Sequence, residues 1–394
     1  MTIQAPVDSP FLAQDKLIQT LSELVRINSV NPGFDGPAGG EAGVLAWAEG
    51  FLREAGLNPR VEDAVPGRPN LRVRIEGETA GPALMFETHI DTVSVAGMTI
   101  SPFAPKVEGG RLLGRGSTDA KGQAASLMHA IVAWAKSGRR PPRPVELVLA
   151  CDEENGFRGA TALVNSKPDV AGIVIAEPTD LRVVAAHKGI VRWCIDIEGK
   201  AAHAAKPHLG VNAITAMSML VDEIETHYTP MLKQRRAPLL EPPTINIAMI
   251  QGGVQFNLVA PSCRLSLERR MIPGETVESV MKEFDELLAR AGKRYGGFRA
   301  RQLEPNMIAG TMFTDANEPL VRAAGKVAAE FGVPADPIGV DYGTDACALA
   351  ALGVPIVIVG VGSIDQAHTA DEFLEIEQLN AGAKYFTKLM GEKF

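Results

Sequence analysis

Apolar and polar positions along this chain follow two periods, and where each one holds predicts the order of elements. Leu17, Ile18, Leu21, Leu24 and Val25 recur at helical spacing over residues 15–26, and the polar, proline-ended stretch 28–32 closes that helix. A glycine-rich loop at 33–40 leads to a second amphipathic helix over 43–55. Runs at 71–75, 83–86, 145–150, 172–176 and 354–360 read as strands, the later ones mostly apolar as suits buried strands. Helical patterns at 123–137, 159–165, 319–331 and 375–390 fall between and after them. Strands that alternate with helices predict an α/β fold.

In the middle of the chain the texture changes. An alternating strand over 191–197 is followed by a helix at 212–226, strands at 244–250 and 263–269, a helix at 275–291 and a strand at 298–303. That order, β-α-β-β-α-β, is the ferredoxin-like split unit. It predicts an inserted domain over 187–303, flanked by two segments, 1–186 and 304–394, of one α/β domain.

Acidic residues and histidines stand at the carboxyl ends of the predicted strands of that domain, the edge where open α/β sheets place their ligands. His89 and Asp91 follow the 83–86 run, Glu153 and Glu154 follow 145–150, Glu177 follows 172–176, and His368 follows 354–360. Asp119 lies in a glycine-punctuated loop between them. His89 and Asp91, two positions apart, can point the same way, so one ring nitrogen can bind a metal while Asp91 accepts a hydrogen bond from the other. His89, Asp119, Glu154, Glu177 and His368 form a set of imidazoles and carboxylates suited to zinc, cobalt or manganese. Five ligands exceed one tetrahedral ion but suit two divalent ions that share a carboxylate and a water. Glu153 diverges from its ligand neighbour and is placed to act as a general base.

Composition narrows the function. The 394 residues are 46% hydrophobic and 22% charged with a net charge of −8, and no lysine- or arginine-rich run stands out, which argues against nucleic acid and anionic membrane as partners. No apolar run approaches the roughly 18 residues of a membrane helix, and residues 1–16 show no basic-then-apolar leader, so a cytoplasmic protein is expected. The four cysteines never form a CxxC pair and are expected to be reduced thiols. Neither a phosphate loop nor a dinucleotide fingerprint is present.

The motifs 88–92 (THIDT), 114–122 (GRGSTDAKG), 152–154 (DEE), 176–179 (AEPT) and 368–373 (HTADEF), in this order, resemble the di-zinc aminoacylase/carboxypeptidase family. That family includes acetylornithine deacetylases, succinyl-diaminopimelate desuccinylases, aminoacylases and glutamate-releasing carboxypeptidases. The resemblance implies a zinc-peptidase-like α/β/α catalytic domain with an inserted lid or dimerisation domain, and a homodimer formed through 187–303. It implies that Asp119 bridges two zinc ions, one also held by His89 and Glu177, the other by Glu154 and His368. It implies Glu153 as base, Asp91 as the orienter of His89, and a cis peptide at Asp119–Ala120.

In the inserted domain the stretch 199–205 (GKAAHAA) matches the family's histidine motif, which implies that His203 polarises the scissile carbonyl from the partner subunit. Asn257 and Arg270 match substrate-holding positions, with the adjacent Arg269 an alternative carboxylate clamp. Thr344, in the 343–345 motif (GTD), is a further substrate-binding candidate. Two residues depart from the pattern: Gln123 stands where the family usually has glycine, and Cys347 where it often has arginine. The expected activity is metal-dependent hydrolysis of an N-acyl amino acid, with a dipeptidase or glutamate-type carboxypeptidase as one alternative and a catalytically silent metal- or amino-acid-binding protein as another.

Overall fold

The computed structural model describes residues 4–295 and 298–394 and divides them into two compact units. The first comprises residues 4–185, Phe313–Ile338 and Thr344–Phe394; the second comprises residues 186–295 and 298–312 and Gly339–Gly343.

The first unit is built on a mixed sheet. Its strands lie in the order Arg60–Val65, Arg68–Ile75, Val145–Ala150, Ala83–His89, Val170–Ile175, Ile356–Ile358 and Val184–His187, and through the last of these the chain runs into the second unit. Val145–Ala150, Ala83–His89, Val170–Ile175 and Ile356–Ile358 run parallel to one another. Every residue of Ala83–His89 and of Val145–Ala150 is buried, as expected of parallel strands covered on both faces. Helices Gln14–Arg26, Lys121–Lys136 and Ile376–Leu389 pack together over the sheet, and their core includes Leu17, Leu21, Leu127, Trp134 and Phe386. Lys121–Lys136 is buried at every position from Lys121 to Trp134, so it shows little of the stripe that marks the other helices. The strand Arg60–Val65 has no counterpart among the sequence-derived elements, because its residues are mostly exposed and show no period-two pattern.

In the second unit four strands form an antiparallel sheet in the order Thr244–Gly252, Ser262–Met271, Gly189–Glu198, Arg299–Gln302. Helices Ala213–Glu223 and Val277–Tyr295 complete the β-α-β-β-α-β order. Trp193 meets Phe284 edge-on at 4.8 Å, and Tyr228 does the same at 4.8 Å, which centres the core. A further short strand, Met307–Ala309, pairs with Gly189–Glu198, so the unit extends to Met312 where the sequence pattern ended it at 303. Lys188 ties in the 339–343 segment: its buried ammonium donates to Asp341 Oδ1 at 2.8 Å and to the Pro242 carbonyl at 2.9 Å.

Candidate metal centre

Each parallel strand of the first unit delivers chemistry at its carboxyl end. His89 is the last residue of Ala83–His89; Glu153 and Glu154 lie just past Val145–Ala150; Glu177 lies just past Val170–Ile175. His368 follows Ile356–Ile358 after a loop that carries the short helical turn Ile364–Gln366, and sits at φ 61°. Asp119 ends the 114–119 loop, and its peptide bond to Ala120 is cis.

Two ligand groups result, His89–Asp119–Glu177 and Asp119–Glu154–His368, each with donor atoms within 4.8 Å of one another. Asp119 belongs to both and divides its oxygens between them: Oδ1 lies 2.9 Å from His89 Nε2, and Oδ2 lies 3.3 Å from His368 Nε2. Glu177 Oε1 is 3.7 Å from His89 Nε2, and Glu154 Oε2 is 3.2 Å from His368 Nε2. His89 is buried, whereas the side chain of His368 keeps 53% of its surface exposed, so the centre opens to solvent on that side.

The electrostatics favour positive charge here. Burial pushes His89 down, but Glu177, Asp119 and Asp91 outweigh it and leave the imidazole well above its ordinary value. Hydrogen bonds to Asp119 and Glu154 raise His368 to about 10. Burial pushes Asp119 up, yet His368 and His89 bring it far below the usual carboxylate range. Burial and the neighbouring Asp119 lift Glu154 to about 7. Glu153 is also driven well above a free carboxyl, by burial first and then by Glu177, Glu154 and Asp345. Two imidazoles facing three carboxylates, with one carboxylate shared, make a donor set that fits two divalent cations of the zinc, cobalt or manganese type.

The surroundings fix this set in place. His89 Nδ1 lies 3.0 Å from the main-chain oxygen of Asp91 and 3.5 Å from its Oδ1, so main chain and side chain of Asp91 both face the ring. Asp91 also accepts from Glu153 N–H at 3.1 Å and from Glu154 N–H at 3.2 Å, which joins the histidine to the turn carrying base and ligand.

Glu372 performs the same service for the Asp119 loop. Its fully buried carboxylate accepts from the N–H groups of Thr118 at 2.9 Å and Asp119 at 3.1 Å on one oxygen. The other oxygen takes Gly116 N–H at 2.9 Å and Arg115 Nη1 at 2.8 Å. Nothing in the local sequence spacing reveals this, since the partners stand more than 250 residues apart.

Gln123, one of the departures from the family pattern, is buried and faces main chain. It donates to the Thr118 and Val361 carbonyls at 3.2 and 2.6 Å and accepts from Val361 N–H at 2.8 Å. A Cβ at position 360 would lie 2.3 Å from its Oε1, so Gly360 leaves the room that Gln123 occupies. Cys347 lies in the short helix Ala346–Leu349, near Glu153, and burial pushes its thiol up. Thr344 is buried, and its hydroxyl accepts from Ala346 N–H at 3.2 Å, shaping the turn into that helix. Two further carboxyls, Glu87 and Asp345, are buried close to Glu177 and His89, and burial raises both, Asp345 to about 7.

The second unit carries the remaining candidates. His203 sits in a turn bridged to Leu258, and Ala204 N–H donates to the Asn257 carbonyl at 3.0 Å, which makes His203 and Asn257 neighbours. Arg269 is fully buried and donates to Glu275 Oε1 at 2.7 Å, to Tyr228 Oη at 3.3 Å and to the Arg270 carbonyl. Arg270 is the half-exposed one of the two, held by Glu268 at 2.9 Å and by the Asp341 carbonyl at 3.0 Å. His129 and His187, by contrast, are buried away from any ligand group among the described residues.

This arrangement is that of a metal-dependent hydrolase. The profile of Peptidase family M20/M25/M40 matches residues 85–392, and the chain belongs to that family. It is 28% identical over 361 residues to an acetylornithine deacetylase of Vibrio cholerae, covering 89% of this chain and 91% of that one. Among solved structures, a tripeptidase of Staphylococcus aureus superposes with a TM-score of 0.79 at 23% identity, covering 96% of this chain and 98% of that one. A dinuclear metal-binding peptidase of the M20 family from Bacillus subtilis gives 0.71 at 17% identity, covering 96% and 97%. The protein is a metal-dependent hydrolase of amide bonds. Among the described residues no helix is long and apolar enough to cross a membrane.

Proposed function

We propose that the protein removes the acyl group from an N-acyl amino acid by hydrolysis. The observation that carries this reading is Asp119, which presents one oxygen to each of two ligand groups with Glu153 adjacent to Glu154 on the same turn. His89 and Glu177 would hold one ion, Glu154 and His368 the other, with Asp119 between them; zinc suits these donors best. Bound there, two such ions would supply Lewis acidity, lowering the pKa of a shared water and polarising the substrate carbonyl. Glu153, which burial drives well above a free carboxyl, would take a proton from the attacking water and pass it to the leaving amine. Asp91 keeps the Nε2 of His89 turned toward the ligand group. The similarity to deacetylases over 89% of the chain favours a small acyl group.

The second unit, over 187–303 in this reading, serves as lid and dimerisation domain of a homodimer. Its strand Thr244–Gly252 stands at the edge of the sheet, and Met249, Ile250, Val254 and Phe256 on and after that edge are exposed. An apolar, unpaired edge of this kind favours pairing with a second copy. His203 would act on the scissile carbonyl from the partner subunit, and Arg270, half-exposed where Arg269 is sealed in, would hold the α-carboxylate together with Asn257. All four cysteines are free thiols, which suits a cytoplasmic setting.

Free-amine release by zinc-loaded protein tests the function on N-acetylornithine, N-succinyl-diaminopimelate, neutral N-acetyl amino acids, dipeptides and a glutamate amide. Turnover confined to N-acyl amino acids is expected. Dipeptide cleavage alone would replace this reading with a dipeptidase, and silence with two bound ions would refute both. Sedimentation of the same protein at micromolar concentration reads the dimer.

A further inference from the structure

We propose that Asn31 is a positioning residue that couples the two halves of the metal centre through Asp91 and Asp152. This rests on the reading of the centre given above.

Asn31 is fully buried, and its segment is laid beside the residues that follow His89: Asn31 N–H donates to the Thr92 carbonyl at 2.8 Å, and Thr92 N–H returns to Ser29 at 3.0 Å. The carboxamide has one possible orientation. Its Oδ1 accepts from Gly33 N–H at 2.9 Å, which caps the short helical turn Pro32–Phe34. Nδ2 is therefore left to face two carboxylates, donating to Asp91 Oδ2 at 2.7 Å and Asp152 Oδ1 at 2.9 Å. An amide has two hydrogens on that nitrogen, and both are used.

The two acceptors have different tasks. Asp91 turns His89, a ligand of one group, and grips the main-chain N–H of Glu153 and of Glu154, a ligand of the other. Asp152 begins that same turn at φ 67°, a left-handed conformation uncommon for aspartate, and is also gripped by Arg68 at 2.8 Å and by Arg158. Among the described residues Asn31 is thus the single side chain hydrogen-bonded both to the orienter of His89 and to the residue that starts the Glu153–Glu154 turn. It also places its dipole between two buried carboxylates that would otherwise repel across the gap. Neither Glu41 nor Arg68 reaches Asp91 by a hydrogen bond, so their network holds Asp152 alone.

The test compares Asn31→Ala and Asn31→Asp with the wild type, and uses Thr387→Val as a control for loss of a buried polar contact far from the centre. Thr387→Val is expected to leave ion binding unchanged. Chelator competition measures the affinity of each ion, absorption of the cobalt-loaded protein reports ligand geometry, and steady-state kinetics separate kcat from KM. Affinity at both positions is expected to fall about 10- to 100-fold in the Asn31 variants, as is usual when the group behind a ligand is lost. The cobalt bands are expected to shift, with kcat reduced and KM nearly constant. Asn31→Asp, which sets a third carboxylate against the first two, should be the worse variant. Unchanged affinities and an unchanged cobalt spectrum in Asn31→Ala would overturn the proposal, even if the variant is less stable. The binding and spectral readouts need no substrate, so failure to find a cleaved amide does not mimic that result. A wild type that binds no divalent ion would overturn the reading of the centre, and this inference with it.

Discussion

Replacing Glu372 by glutamine should cost far more than the loss of one charge suggests. The carboxylate has two oxygens, and each accepts from two donors: Thr118 and Asp119 N–H on one, Gly116 N–H and Arg115 on the other. Glutamine keeps one oxygen and turns the other position into a donor. Whichever way the amide lies, two of the four donors then face an N–H₂ group. Each buried donor left without an acceptor costs about 1–3 kcal/mol. If the Arg115 side is lost, its guanidinium, only 3% exposed, also loses its carboxylate. For two donors the sum is about 2–6 kcal/mol, drawn from a fold whose whole stability is of order 5–15 kcal/mol. Urea unfolding of Glu372→Gln against wild type, both free of metal, measures the stability term. Hydrogen exchange at the amides of Gly116 and Thr118 locates it: they sit on different oxygens, so whichever of the two is left facing the N–H₂ group should exchange faster than in the wild type. Because the same loop ends in Asp119, ion affinity should fall with them. A destabilisation below about 1 kcal/mol, or unchanged exchange at those amides, would refute the claim that Glu372 holds this loop.

Glu153→Gln should lower kcat by about 10²- to 10⁴-fold while both ions stay bound, as read by amine release and metal analysis; near-full turnover would refute Glu153 as the base. Gln123→Gly removes three hydrogen bonds to the main chain of Thr118 and Val361 and should cost about 3 kcal/mol in urea unfolding. A neutral result would mean that the main chain closes the gap. His129 should make the protein acid-sensitive. Burial lowers its pKa to about 4 from the ordinary 6.5, so in this window the unfolded chain binds a proton that the folded chain refuses. The associated stability, about 3 kcal/mol, is complete above pH 6.5 and is lost as pH falls toward 4. His129→Gln should flatten the wild-type loss over that range by about that amount, and equal acid sensitivity in the two proteins would refute the assignment.

Much of the centre could be read from the chain because parallel strands concentrate two signals in one place. A fully buried strand such as Ala83–His89 has to be an apolar run, and its carboxyl end has to be where polar chemistry begins. His89, Glu154 and Glu177 all stand at such ends. The residues that hold them were invisible for the opposite reason. Asn31 meets Asp91 across 60 positions and Glu372 meets Gly116 across 256, and no local period records contacts of that range. The boundary near 303 failed to capture Met307–Ala309 because a three-residue strand is too short to show alternation. The ambiguity between Arg269 and Arg270 had a signal that could have been used. Cys263, Leu265 and Leu267 line the buried face of Ser262–Met271, and counting by twos puts Arg269 inside and Arg270 outside.

The helix Lys121–Lys136, sealed on every side to Trp134, has a consequence for how the protein takes up and gives up its ions. Segments with the most buried contacts are the last to open in native-state fluctuations. The Asp119 loop is joined without a spacer to one of them, so the ligand cage rests on one of the slowest-opening parts of the molecule. Ions can then leave by the solvent-facing His368 side while the cage keeps its shape, unlike small metal domains that unfold when their ion departs. Reloading is then a matter of diffusion and dehydration and needs no refolding.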